Sequence, residues 1–144
     1  MYQLHRGNAT GSVNLTASAS TPVELVEAGL RAVLELAREG RGPVTSADSV
    51  AVPIRGLGAD LPRLFIDLTD DLVSQLEEFG PGFDVLHLDG LLRTETGGYT
   101  AWGYLSGAAG DGAAVQLAMV AASVAITPDA GGLTLTCQVR IISA

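Results

Sequence analysis

At 144 residues the chain is one domain by length, 1–144, long enough to bury about 70% of the surface its unfolded form exposes. Its composition, 47% hydrophobic and 17% charged, is that of a folded globular chain and not a disordered one. Sixteen acids face eight bases for a net charge of −8, and every base is arginine. The absence of lysine excludes Schiff-base, P-loop-lysine and lysyl-nucleotidyl chemistry within the chain. The acidic balance argues against direct nucleic-acid binding, because no basic surplus exists to displace phosphate counterions.

The N-terminal stretch MYQLHRGNATG has no apolar signal core, and the single cysteine, Cys137, can form no internal disulfide. A reducing cytoplasm is therefore the expected location, and the sequons at Asn8 and Asn14 read as chance. The longest apolar run, Ala113 to Ile126, contains Gln116 and Ser123 and is too short to cross a bilayer, so no membrane contact is expected.

In chain order, the first strand signal is Ser12 to Ala17, where Val13, Leu15 and Ala17 alternate with Asn14 and Thr16. A helix follows, with Thr21 as N-cap, Pro22 at its first position, Glu24 completing a capping box and Gly40 as its stop. Val26, Leu30, Val33, Leu34 and Ala37 form its apolar stripe. Val50, Val52 and Ile54 predict a short strand ending near Arg55. A second helix starts after Asp60 and runs to Phe79, with Leu61, Phe65, Leu68, Leu72, Leu76 and Phe79 inward and Leu64 beside them. Phe83 to Thr94 and Tyr99 to Leu105 read as a hairpin turned at Gly97-Gly98. Val115 to Ile126 is open between helix, for its alanines, and buried strand, for its Val and Ile. Thr127 to Gly132, with Pro128-Asp129, reads as a turn, and Leu133 to Ile142 as a final alternating strand. The sum is an α+β fold, a mostly antiparallel sheet with two helices packed on it.

Motifs that carry chemistry are few. Gly103-Tyr104-Leu105-Ser106-Gly107 places its serine one position late for a nucleophile elbow and has no following helix. Cys137 lies on the apolar face of a strand, where cysteines are usually inert filler. Gly56-Leu57-Gly58 lacks the third glycine of a dinucleotide fingerprint. His87 and Asp89 share a strand face, as a metal pair or acid/base pair would, or simply as polar surface. Asp67, Asp70 and Asp71 fall on one helical face, where they can hold a hard cation or merely meet solvent.

The order of elements, with several local phrases, resembles the archease family, small proteins that assist the RNA-splicing ligase in tRNA maturation. The phrases are His5-Arg6-Gly7-Asn8 near the start, Thr21-Pro22-Val23-Glu24 at the first helix, Gly58-Ala59-Asp60-Leu61 and Leu64-Phe65-Ile66-Asp67-Leu68 at the second, and a last strand ending at Ile142-Ser143-Ala144. The resemblance implies an archease-like α+β fold over nearly the whole chain and a non-enzymatic activator or chaperone that docks on the ligase. It also implies a divalent cation, such as calcium or magnesium, held between the positions of Asn8 and Ser143 with the carboxylate of Ala144. Asp67 is the best-preserved acidic position. The chain departs from the pattern where charge matters: Asn8 and Ser143 replace carboxylates with an amide and a hydroxyl, and Ala118 falls near the family's functional lysine.

Three functions follow as expectations. The first is an archease-like activator of an RNA-splicing ligase that works by protein–protein contact and catalyses nothing itself, its acidic surface suited to a basic enzyme. The second is a divergent binding module for another protein or a small ligand, its link to RNA ligation lost with the two carboxylates. The third is a small hydrolase-type enzyme using Asp67, His87 and Asp89 for acid/base work, which requires those three side chains in one pocket.

Overall fold

Two helices and eight strands form two antiparallel sheets in a computed structural model that describes residues 1–6, 11–38, 49–79, 82–108 and 116–143. The first sheet is built from β1 (Tyr2–Arg6), β2 (Ser12–Ala19), β8 (Gly132–Ser143) and β6 (Gln116–Met119), in that order, with β7 (Ala125–Asp129) also paired to β8. The second contains β3 (Ser49–Gly58), β5 (Tyr99–Ala108) and β4 (Phe83–Arg93), with β5 in the centre. The helices are α1 (Pro22–Arg38) and α2 (Leu61–Phe79). The α+β class read from the sequence is the observed one. The strands are divided between two sheets, where the sequence led us to expect one.

Helix α1 begins as its punctuation predicts, with the Glu24 amide donating to Thr21 Oγ1 at 3.3 Å. Ten of its residues are buried, too many for a single stripe, because α1 packs against strands of both sheets and against α2. The proposed stop at Gly40 lies outside the described residues. Helix α2 is capped by Asp60, whose Oδ1 accepts the Arg63 amide at 2.9 Å. Leu64, Phe65, Leu68, Leu72 and Leu76 are buried as expected, while Leu61 and Phe79 are half-buried at its ends.

Sequence alternation missed β1, which pairs with β2 in the register Tyr2↔Ala17 to Arg6↔Val13. It also stopped β3 too early: the strand continues through Arg55 to Gly58. The ambiguous run Val115 to Ile126 is strand, apart from Val115, which lies outside the described residues. One 3-10 turn, Ala121–Ser123, interrupts it and separates β6 from β7 along the same edge of β8. Ser123 bridges the interruption: its hydroxyl donates to the Val120 carbonyl at 2.6 Å and accepts the Gln138 amide at 2.8 Å. The turn expected over Thr127 to Gly132 is shorter than that, because β7 holds its register to Asp129↔Gly132 and only Ala130 and Gly131 turn. Asp129 accepts the Gly131 amide at 3.0 Å and the Thr134 hydroxyl, and these bonds hold its carboxyl below the usual range. In the hairpin between β4 and β5, Gly97 has a φ of +89°, the conformation for which the turn requires glycine.

One core joins the layers. Val13, Leu15 and Ala17 of β2 and Leu135, Cys137 and Val139 of β8 face α1 from the first sheet, and Ile54, Leu86 and Leu105 close it from the second. The packing is close where glycine allows it. A Cβ on Gly56 would lie 2.8 Å from the Leu68 side chain, and one on Gly58 would run into the Leu64 backbone. Gly56 and Gly58, two-thirds of a nucleotide-type motif in the sequence, are clearances for α2 against β3. Gly58→Ala is therefore expected to destabilise the protein by about 2 kcal/mol, since a backbone atom cannot yield as a side chain can. Gly131→Ala, into open space, should stay within about 0.5 kcal/mol of wild type when both are compared by urea denaturation.

Candidate functional site

A three-stranded sheet leaves two unpaired edges, and the charged residues singled out in the sequence lie along them. Along β3, Arg55 and Leu57 turn their amides away from β5. Asp71 Oδ2 accepts the first at 2.9 Å and Asp67 Oδ2 the second at 2.8 Å. The spacing explains the pair, because four residues of helix rise about 6 Å and two residues of strand about 6.6 Å. Pro53, two residues earlier on the same edge, has no amide to present. The acidic face of α2 thus does more than meet solvent. Two of its three carboxylates are committed to backbone amides. Asp70 has its carboxyl pushed up by burial and by the Asp67 charge. It faces a groove of about 520 Å³ beside Pro53, Arg55 and Ser74.

The opposite edge, β4, is closed by α1. Glu27 Oε1 accepts the Leu88 amide at 2.9 Å, and Arg31 Nε donates to the Leu86 carbonyl at 3.2 Å. Glu27 and Arg31 are one turn apart and 3.6 Å from each other. His87, half-exposed between them and the strand, places Nδ1 3.1 Å from Glu27 Oε1 and Nε2 3.5 Å from Asp89 Oδ1. Its ring lies 5.7 Å from that of Tyr104 on β5. Asp89 projects from an irregularity in the pairing between Leu88 and Gly90.

His87 and Asp89 come together as their spacing on the strand implies, and Asp67 does not join them. The edges that carry them are separated by β5, about 10 Å across two strand spacings. The acid/base trio lacks the shared pocket it requires. Ser106 is half-buried within β5, paired with Ala51 and Val85, in no strand-to-helix elbow. Cys137 is buried on the inner face of β8, and desolvation pushes its thiol up to about 12.

The implied cation site cannot be built from the described residues. Asn8 and Ala144 lie outside them, as does the side chain of Ser143. The neighbouring backbone is described: the Ile141 amide donates to the Gly11 carbonyl at 2.7 Å, and Ser143 pairs with Gln116. Among the described residues no group of three His, Cys, Asp or Glu side chains is placed to hold a metal ion. The amide of Asn8 and the hydroxyl of Ser143 bring no charge, so as a donor set they fit a hard divalent cation poorly, and no chemical step is derived through one. Among the described residues no helix is long and apolar enough to cross a membrane.

The sequence reading missed Glu27 and Arg31, which lie on the polar side of α1 and gave no signal without knowledge of the strand beside them. It also left unused the alternation that puts Trp102 and Tyr104 together on the outer face of β5.

No protein-family profile matches the chain, and no curated protein does. Among solved structures, it is similar to the solution structure of Methanobacterium thermoautotrophicum protein 1598, with a TM-score of 0.58 at 16% identity over 98% of each chain. The two share a fold across their whole lengths.

Replacing Asp67 and Asp71 together with alanine is expected to cost about 2 kcal/mol, as two charge-assisted hydrogen bonds at a partly exposed edge are lost. Amide exchange at Arg55 and Leu57 should accelerate ahead of exchange at Ile54, whose amide lies within the sheet. The sign for Asp70 is opposite. Its folded-state pKa stands above the unfolded value of about 3.8, so its contribution to stability falls as the pH rises through that interval and stays unfavourable above it. Asp70→Asn should stabilise the protein at pH 7, and the gain should vanish below pH 3.8 in thermal melts across the range.

Proposed function

We propose that this chain is an archease-like accessory protein, which activates an RNA-splicing ligase by protein–protein contact and leaves the chemistry to its partner. The observation that carries the reading is where the resembling phrases fall. Thr21 caps α1, Asp60 caps α2, Asp67 sits on α2, and β8 ends beside the segment that follows Asn8. The full-length likeness to the Methanobacterium protein supports the scaffold and carries no argument about activity. The net charge of −8 suits contact with a basic RNA-processing enzyme better than contact with RNA.

A second reading is favoured by one specific feature. The residues at positions 8 and 143 have lost the charge that a cation site needs, as they would in a binding module for another protein or a small ligand that no longer serves ligation.

Multiple-turnover RNA ligation by the ligase of the same organism separates the two. With the native chain present, ligated product per ligase should rise at least about fivefold, the effect of roughly 1 kcal/mol on the limiting step. Activation only by the double variant Asn8→Asp, Ser143→Asp would assign the chain to the second reading. No activation by either, with both folded, would reject the ligase role.

A further inference from the structure

We propose that the outer face of the β3–β5–β4 sheet is a docking surface for an arginine-bearing segment of a basic protein partner. The helices cover only one side of this sheet. On the other side the register sets out cross-strand rows, Pro53–Tyr104–His87, Arg55–Trp102–Gly90 and Leu57–Thr100–Leu92. Among the described residues seven large hydrophobic side chains are exposed, and five of them, Leu57, Val85, Leu92, Trp102 and Tyr104, lie on this one face. Scattered single apolar residues need no explanation, but a contiguous set on one sheet face marks an interaction surface.

The centre of the face is held in place. Gly90 leaves the space that the Trp102 ring occupies, since a Cβ there would lie 2.5 Å from Cζ2 of the indole. Tyr104 lies against the His87 ring, whose Nδ1 is 3.1 Å from Glu27 Oε1. Little side-chain entropy remains to be lost on binding at these aromatics.

Charge selects the occupant. Asp89 stands beside His87 on the β4 side of the aromatic centre, and Asp67 and Asp71 lie at the β3 edge, each with one oxygen on a backbone amide. Aromatic faces beside carboxylates suit a guanidinium, which stacks on the ring and pairs with the acid at once. An aromatic centre with a charged rim is also the usual composition of a protein interface. A nucleic acid would find one arginine, Arg55, in these rows and a chain of net charge −8 around it. A second copy would bring −8 against −8. The inference deepens the accessory-protein reading by naming its contact surface, and its first test does not depend on that reading.

Trp102 is the only tryptophan, so its emission reports on this face directly. Titration of the full chain with a peptide of alternating arginine and glycine, at about 0.15 M salt, should shift that emission saturably. Tyr104→Ala and Asp89→Asn should each weaken binding about fivefold or more. Glu78→Gln makes the same charge change on the exposed side of α2 and should weaken it less than about twofold. Unchanged thermal melts would show that the variants fold. Three outcomes would overturn the proposal: no saturable shift, equal losses for Glu78→Gln and Asp89→Asn, or tighter binding of an oligouridine. Self-association in sedimentation that Tyr104→Ala abolishes would overturn it too, by assigning the face to a second copy. With the ligase, activation by the native chain that survives Tyr104→Ala and Asp89→Asn would also overturn it. Peptide binding without ligase activation would leave the surface standing and remove the ligase reading alone.

Discussion

Everything in the second half of this fold turns on a three-stranded sheet whose two edges would otherwise be bare. A sheet of three strands exposes a row of unpaired amides and carbonyls on each side, and such rows invite pairing with other chains. Here each edge is met by the helix beside it. Asp67 and Asp71 of α2 take two amides of β3, and Glu27 and Arg31 of α1 take an amide and a carbonyl of β4. Both helices use an i, i+4 pair because that is the helical spacing that matches alternate residues of a strand. The same four side chains add directional bonds to the close hydrophobic packing that seats the helices along the sheet.

Close approach makes those bonds geometrically available. Gly56 and Gly58 let α2 lie near enough to β3 for a short aspartate side chain to reach around the edge, and Gly29 admits the Phe65 ring between the helices. A longer reach with glutamate would leave more rotamer freedom to be lost. Aspartates and glycines therefore form one device, and a change at either should be felt at the other.

Most of the elements were legible in the sequence, because capping and period-2 alternation are local signals. Thr21 and Asp60 mark helix starts by hydrogen bonds within four residues, and β8 alternates cleanly since only one of its faces is buried. β1 does alternate, with Tyr2 and Leu4 half-buried and Gln3 and His5 exposed, but two apolar positions in a five-residue edge strand are too short a run to stand out as a signal. The β6–β7 run was ambiguous because it is both strand and helical turn, and the Ser123 hydroxyl that reconciles them acts on Gln138, fifteen residues away. The site was less legible than the fold for the same reason. Asp67 and Asp71 carry an identical sequence signal whether they bind a cation, meet solvent or hold the edge of β3, and only the strand beside them decides.

Sealed edges also determine how the sheet can associate. With carboxylates on two amides of β3 and with Glu27 and Arg31 on an amide and a carbonyl in the middle of β4, a visiting strand would have to break charge-assisted bonds to pair along those stretches. The inner face is filled by α1 and α2. What remains accessible is the outer face, where Trp102 is seated against Gly90 and Tyr104 against His87. Among the described residues five of the seven exposed large hydrophobic side chains lie on that face, which directs contact to it. Asp67 and Asp71, which take amides of β3, also add negative charge along that edge, and Asp89 beside β4 adds it on the other side, so that the sheet favours a partner that arrives with arginine.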